Sequence, residues 1–239
     1  MPAALGPDSL SRCTEYRCHY DDLVMNGTAE LVDRLRALSR DQFGLLTTTQ
    51  VQAAGVTDDQ IRELVATENM WESADGLWAI GGPDLLLVED WAGIWLTLDL
   101  DTPISERRHH PDTIVSHETA AVLRGLGSVA GYQFTLTSPK PIERELPNTR
   151  VVVADFDYSE WSLVDGFPVA SPARIIADLT ADRIDGSHVG TVLETILIDE
   201  LLTREQVADL IAPHTWQWTN TLAPDQVIDL LITASDRNA

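Results

Sequence analysis

Few residues in this chain could do covalent chemistry, and their spacing argues against most of it. Ser116-His117 sets a nucleophile beside a base. Neighbours at a helix start point apart, so the pair is not expected to form a hydrogen-bonded dyad. Ser116 reads instead as a helix N-cap, with His117 packed or exposed. Gly127-Ser128 and Asp155-Phe156-Asp157 carry the residue types of a nucleotidyltransferase. The 27 residues from Ser128 to Asp155 include prolines and are too many for one turn-and-helix unit. A metal-dependent nuclease wants carboxylates on a strand with a lysine nearby. The single lysine, Lys140, sits in the proline-locked run Ser138-Pro139-Lys140-Pro141. Cys13, Cys18 and His19 form a C-x4-C-H cluster, but zinc takes about four ligands and no second cluster is evident. No catalytic residue, metal or cofactor is therefore expected.

Two further groups are charged. Arg107-Arg108-His109-His110 is the densest basic spot, and it pairs with carboxylates, binds an anion, meets a partner or is plain surface loop. Arg174 and Asp178 stand four apart on one helix face, the spacing of a structural ion pair. The chain as a whole is acidic, with a formal net charge of −22 over 239 residues. Such a chain repels phosphate backbones, so any nucleic-acid contact must be local. The same charge suits a basic protein partner, or simply reflects general acidity for solubility. No run approaches 18 uninterrupted apolar residues, and no basic n-region with an apolar core opens the chain. A cytoplasmic protein with no membrane contact is expected, and Met25 is a candidate translation start.

The elements that must position these residues follow from periodicity. Residues 1–27 show no clear period and read as a loosely held leader. Leu31, Leu35 and Leu38 make a helix face, with Arg34, Arg36 and Arg40 around it. A short helix capped by Thr47 or Thr48 runs to Gly55. Thr57 with Gln60 is a capping box for a third helix that turns Ile61, Leu64 and Val65 inward. Asp75-Gly76 between two short apolar runs signals a hairpin. Three helices and a hairpin, with a glycine turn before a capped helix, is the winged helix-turn-helix layout.

Gly81-Gly82-Pro83 marks a boundary, followed by a long helix over 84–98 with Trp91 and Trp95 one turn apart. A polar loop is expected over 99–112, then a helix from Ser116. Residues 132–137 and 150–156 alternate as strands, and Asp165-Gly166 is a turn. Ser171-Pro172 opens a helix, and further helices are expected over 188–200, 203–212 and 224–234.

Three ordered motifs carry a family likeness. The first runs Leu45-Leu46-Thr47-Thr48-Thr49-Gln50, Ala53-Ala54-Gly55-Val56, Trp71 and Gly76-Leu77-Trp78-Ala79-Ile80. The second is Val115-Ser116-His117-Glu118-Thr119-Ala120-Ala121-Val122-Leu123 with Gly125-Leu126. The third is Gly166-Phe167-Pro168-Val169-Ala170-Ser171-Pro172-Ala173-Arg174-Ile175-Ile176-Ala177-Asp178-Leu179. In this set the chain resembles the AbiEi family, the antitoxins and transcriptional regulators of bacterial abortive-infection systems. The likeness implies an α+β chain: a winged helix-turn-helix domain over 28–82, a mixed α/β antitoxin-type domain over 83–213, and a tail with a short helix over 214–239. It implies a head that binds operator DNA and a body that neutralises a nucleotidyltransferase-like toxin. Ser116, His117, Thr119, Ser171, Pro172, Arg174 and Asp178 are its motif residues.

One departure concerns the head. The family's wing usually carries Arg or Lys, whereas residues 70–83 have none. The recognition helix expected over 57–69 sets Arg62 against Asp58, Asp59, Glu63 and Glu68, a net −3. Phosphate affinity comes from Lys and Arg, and base readout leans on Arg, Asn and Gln. The DNA contacts available are Thr48, Thr49, Gln50, Gln60 and Arg62, with Arg34, Arg36 and Arg40 for the backbone. Without them the head is a dimerisation or protein-contact module, with no toxin partner implied.

Overall fold

The computed structural model describes residues 27–81 and 89–236. Cys13, Cys18, His19, Met25 and the first part of the helix expected over 84–98 lie outside them. The fold is mixed α+β, and contacts divide the chain into two units between Asp101 and Thr102.

In the first unit, helix α1 spans residues 27–39 and turns Leu31, Val32 and Leu35 inward. Phe43 and Gly44 both take left-handed backbone and end it, the Gly44 N–H donating to the Ser39 carbonyl at 2.9 Å. Strand β1 (Leu45–Thr47) follows. Thr47 caps α2 (Thr48–Ala53), its hydroxyl accepting from the Gln50 N–H while Gln50 Oε1 accepts from the Thr47 N–H. Gly55, at φ +78°, turns the chain. The predicted Thr57–Gln60 capping box then starts α3 (Asp58–Ala66), with Asp58 and Asp59 on its positive dipole end. Strands β2 (Met70–Ala74) and β3 (Leu77–Ile80) form the hairpin at Asp75-Gly76.

The three helices and hairpin are therefore joined by a third strand. β1 pairs antiparallel with β3, giving the order β1-β3-β2. A three-residue strand is too short to show period two, which is why residues 45–47 read as a helix approach. Leu46, Val51, Val56, Leu64, Met70 and Ile80 close the core with α1. Leu64 takes the inward direction on α3, so Val65, 100° further round, is left 41% exposed rather than inward.

Helix α4 (Glu89–Thr97) belongs to this unit, packing on β2. Trp95 is fully buried and meets Phe43 edge-on at 6.4 Å between ring centres. That packing puts the division after Asp101 and not at Gly81-Gly82-Pro83.

The second unit holds a five-stranded sheet, more strand than periodicity suggested. It comprises β4 (Ile114–Val115), β5 (Phe134–Ser138), β6 (Thr149–Val153), β7 (Trp161–Val164) and β8 (Phe167–Ala170), in the order β6-β5-β4-β8-β7. β5–β6 and β4–β8 are parallel, while β4–β5 and β7–β8 are antiparallel. The segment expected as a loop over 99–112 contains helix α5 (Ile104–His109), in which Arg107 is buried. Helices α6 (His117–Leu123) and α7 (Pro172–Ala181) pack on each other, and α6 covers β5 and β8. Ser171 caps α7 with Pro172 in its first turn, as predicted.

Helices α8 (Gly186–Ile198), α9 (Arg204–Ile211) and α10 (Pro224–Asp236) complete the unit. α10 is not a tail. It crosses α8 so closely at Gly190 that an added Cβ would run into the Leu231 carbonyl. Val227, Ile228 and Leu231 are buried.

Candidate functional sites

On the first unit, the residues proposed to touch DNA are mostly committed elsewhere. Trp78 Nε1 donates to Thr48 Oγ1 at 3.0 Å. The Gln50 amide exchanges two 3.0 Å hydrogen bonds with Gln42 in addition to its capping role. Gln60 Oε1 accepts from the Thr57 N–H at 3.0 Å, and Arg62 is paired with Asp59 at 2.7 Å. Arg36 Nε donates to the Gly81 carbonyl at 2.9 Å, tying α1 to the end of β3. Thr49, Arg34 and Arg40 have no partner among the described residues; Arg34 and Arg40 are exposed and Thr49 is largely so. Residues 27–81 carry four arginines against nine carboxylates, a net −5. A shallow hollow of about 300 Å3 lies between Leu38, Gln42, Leu46, Gln50, Ala53 and Ala54, with no cation in its lining.

On the second unit, the second and third motifs converge on one polar network. Thr137 Oγ1 donates to Ser116 Oγ at 2.8 Å, and Ser116 Oγ lies 2.9 Å from His117 Nδ1. The Ser116 hydroxyl therefore bridges Thr137 and the imidazole, and its role toward Nδ1, as donor or as second-time acceptor, follows the tautomer of His117. Nε2 faces Asp182 Oδ2 at 3.5 Å, and Asp182 is held by two hydrogen bonds from Arg150 on β6. Asp178 Oδ2 stands 3.6 Å from Nδ1 and has no hydrogen bond among the described residues. Its other oxygen accepts from Arg174 Nε at 2.8 Å. Arg174 also reaches Glu160 Oε2 and the Asp155 carbonyl, each at 3.2 Å. Thr119 Oγ1 ties α6 to β5 by donating to the Gln133 carbonyl and accepting from the Thr135 N–H.

The network corrects two expectations. Ser116 occupies the N-cap position but makes no capping bond. It does contact its neighbour, because His117 takes φ +54°, a left-handed conformation that swings the ring back over Ser116. The Arg174–Asp178 pair forms as the spacing predicts. What spacing could not give is the reach from Arg150 to Asp182, 32 residues apart.

Burial holds the His117 imidazole below its usual value of 6.5, against the pull of Asp178 and Asp182. Burial pushes the Asp182 carboxyl up, but the Arg150 hydrogen bonds and the facing His117 bring it below 3.8. Ser116 has no exposed surface and His117 only 3%, so the relay offers no face to a substrate. It works as a tie between α6, α7 and β6. No group of three or more His, Cys, Asp or Glu placed to hold a metal occurs among the described residues.

No family model matches the chain, and no curated protein matches it in sequence. Among solved structures, the crystal structure of the Rv2827c protein from Mycobacterium tuberculosis is similar, with a TM-score of 0.50 at 17% identity. The match covers 84% of this chain and 75% of that one. At that identity the likeness concerns the fold, a mixed α+β chain.

Proposed function

We propose that the chain is an AbiEi-type antitoxin and regulator that acts in the cytoplasm by binding, without chemistry of its own. The observation that carries this reading is the path of the first unit: α1-β1-α2-α3-β2-β3 with sheet order β1-β3-β2. A short capped helix, a left-handed Gly55 and a second capped helix ahead of a hairpin are the parts of a winged helix-turn-helix. The second support is the meeting of the Ser116-His117 and Arg174–Asp178 motifs in one network of the second unit. The partner of the second unit is then a basic, nucleotidyltransferase-like toxin, matched to a chain of net charge −22. Co-expression with such a protein encoded beside it tests this. Relief of its toxicity and a complex that survives gel filtration are expected, and toxicity undiminished at equal expression overturns it.

A second reading, favoured by the charge of the head, is that the winged unit contacts protein and no longer reads DNA. Asp58, Asp59 and Asp75 stand at the start of α3 and at the hairpin turn, the parts that approach DNA in this motif. Anisotropy titration with DNA from the chain's own promoter separates the two. Binding at 50 mM salt that weakens steeply by 200 mM supports a regulator. No binding at 50 mM leaves the protein-contact module.

A further inference from the structure

The five-stranded sheet ends on β6, and no described residue pairs with its outer side. The Phe134 N–H donates to the Asn148 carbonyl, and the Ala154 N–H donates to that of Ser138. Bonds of a parallel pair recur on alternate residues, so Asn148, Arg150, Val152 and Ala154 serve β5. Thr149, Val151 and Val153 therefore turn their N–H and C=O groups to the open side. We propose that this edge is a docking strand that takes an extended, basic segment of a partner protein by β-addition.

Exposed edges are normally blunted by lysine, proline, a bulge or a cover. β6 reads Thr-Arg-Val-Val-Val, and its register with β5 is unbroken over all five residues. Its one charge, Arg150, is engaged with Asp182. The strand is held from behind along its length. Asn148 Nδ2 donates to the Tyr132 carbonyl at 2.9 Å before it, Arg150 is clamped at its centre, and Arg174 holds the Asp155 carbonyl after it. A template fixed in advance loses little freedom when a ligand strand joins it. Tyr132, Tyr158 and Val153, beside or within this segment, are 84%, 79% and 56% exposed. Tyrosine is enriched at protein interfaces.

Charge selects the occupant. Residues 102–236 carry 20 carboxylates against nine Lys and Arg. Exposed Asp155 and Asp157 follow the strand, and the exposed run Glu143-Arg144-Glu145, net −1, precedes it. A second copy paired antiparallel would bring Glu143 and Glu145 toward its own Asp155 and Asp157, like against like. A segment with Lys or Arg at both ends meets opposite charge instead. The inference does not require the partner to be a toxin.

The test uses the full chain and a blocked fluorescent peptide, Lys-Arg-Thr-Val-Thr-Val-Arg-Lys, with a control carrying proline at two central positions. Anisotropy at low salt is expected to give at least tenfold tighter binding of the first peptide. Hydrogen exchange at Thr149, Val151 and Val153 amides should be fast in the free chain and slow in the complex. Val151→Pro removes an outward N–H and no bond to β5, so it should weaken binding at least tenfold. Should that variant not fold, Val153→Lys is expected to do the same. Leu163→Lys on the opposite edge strand, β7, should leave binding unchanged. Equal binding of both peptides, no binding of either, or a folded edge variant that binds like the parent overturns the proposal. So does a dimer that Val151→Pro dissociates, because the occupant would then be a second copy.

Discussion

Two glycines inside helices should respond to the same substitution with opposite sign. Gly to Ala at an unobstructed helix interior gains up to about 1 kcal/mol, from propensity and a stiffer unfolded chain. Gly93 in α4 is such a site, since an added Cβ finds Ser73 Oγ at 3.5 Å and nothing nearer. Gly190 in α8 is not. Its Cβ would overlap the Leu231 carbonyl oxygen, with the carbonyl carbon at 2.7 Å and the Ile232 nitrogen at 3.2 Å. The obstacle is main chain and cannot rotate away, so α10 must move out by about 1 Å. Overpacking of this kind costs up to about 3 kcal/mol, and subtracting the helix gain leaves a net loss of about 2 kcal/mol. At about 2–4 °C per kcal/mol for a chain of this size, Gly190→Ala should lower Tm by about 4–8 °C. Gly93→Ala should leave it level or raise it. Scanning calorimetry reads both variants, and resolves the two units if they melt separately. Gly190→Ala as stable as the parent would mean that α10 does not pack on α8 as described.

Acid should destabilise the second unit in two steps. His117 is held neutral by burial, so the unfolded chain takes its proton first and stability falls as pH drops below about 6.5. His117→Asn, which tolerates the left-handed backbone, should flatten the pH 5–7 slope in urea melts. Asp182 lies below its usual value when folded, so its contribution is present above pH 3.8 and is lost as pH falls further. Asp182→Ala should cost about 1–3 kcal/mol at pH 7, because it strands Arg150 and His117 Nε2. The low half of that range is expected, since Arg150 is 38% exposed; faster exchange at the Val152 amide would report the loosened β6. Thr57→Ala, which breaks the α3 capping box, should cost the first unit about 1 kcal/mol by urea titration.

The parts legible in advance were those governed by neighbours within four residues. The Thr57–Gln60 box, the Asp75-Gly76 turn, the Ser171-Pro172 helix start and the Arg174–Asp178 pair are each decided by local backbone geometry. Short strands were not legible. β1 has three residues and β4 two, too few for a period, and each exists because a longer strand lies beside it. The Ser116–His117 contact was missed for a different reason. Spacing arguments assume right-handed backbone, and His117 departs from it under tertiary constraint.

Residue types and intervals alone determined the acidic charge, the mixture of helix and strand, the capped helix starts and the hairpin turn. Only tertiary structure decided that Arg150 meets Asp182, that α10 seals α8, and that β6 is left as an outer edge. The reason is physical. Hydrogen bonds inside a turn of helix depend on a handful of dihedrals that the side chains bias directly. Strand order and buried charge partners depend on which distant surfaces can exclude water together, a property no single segment carries.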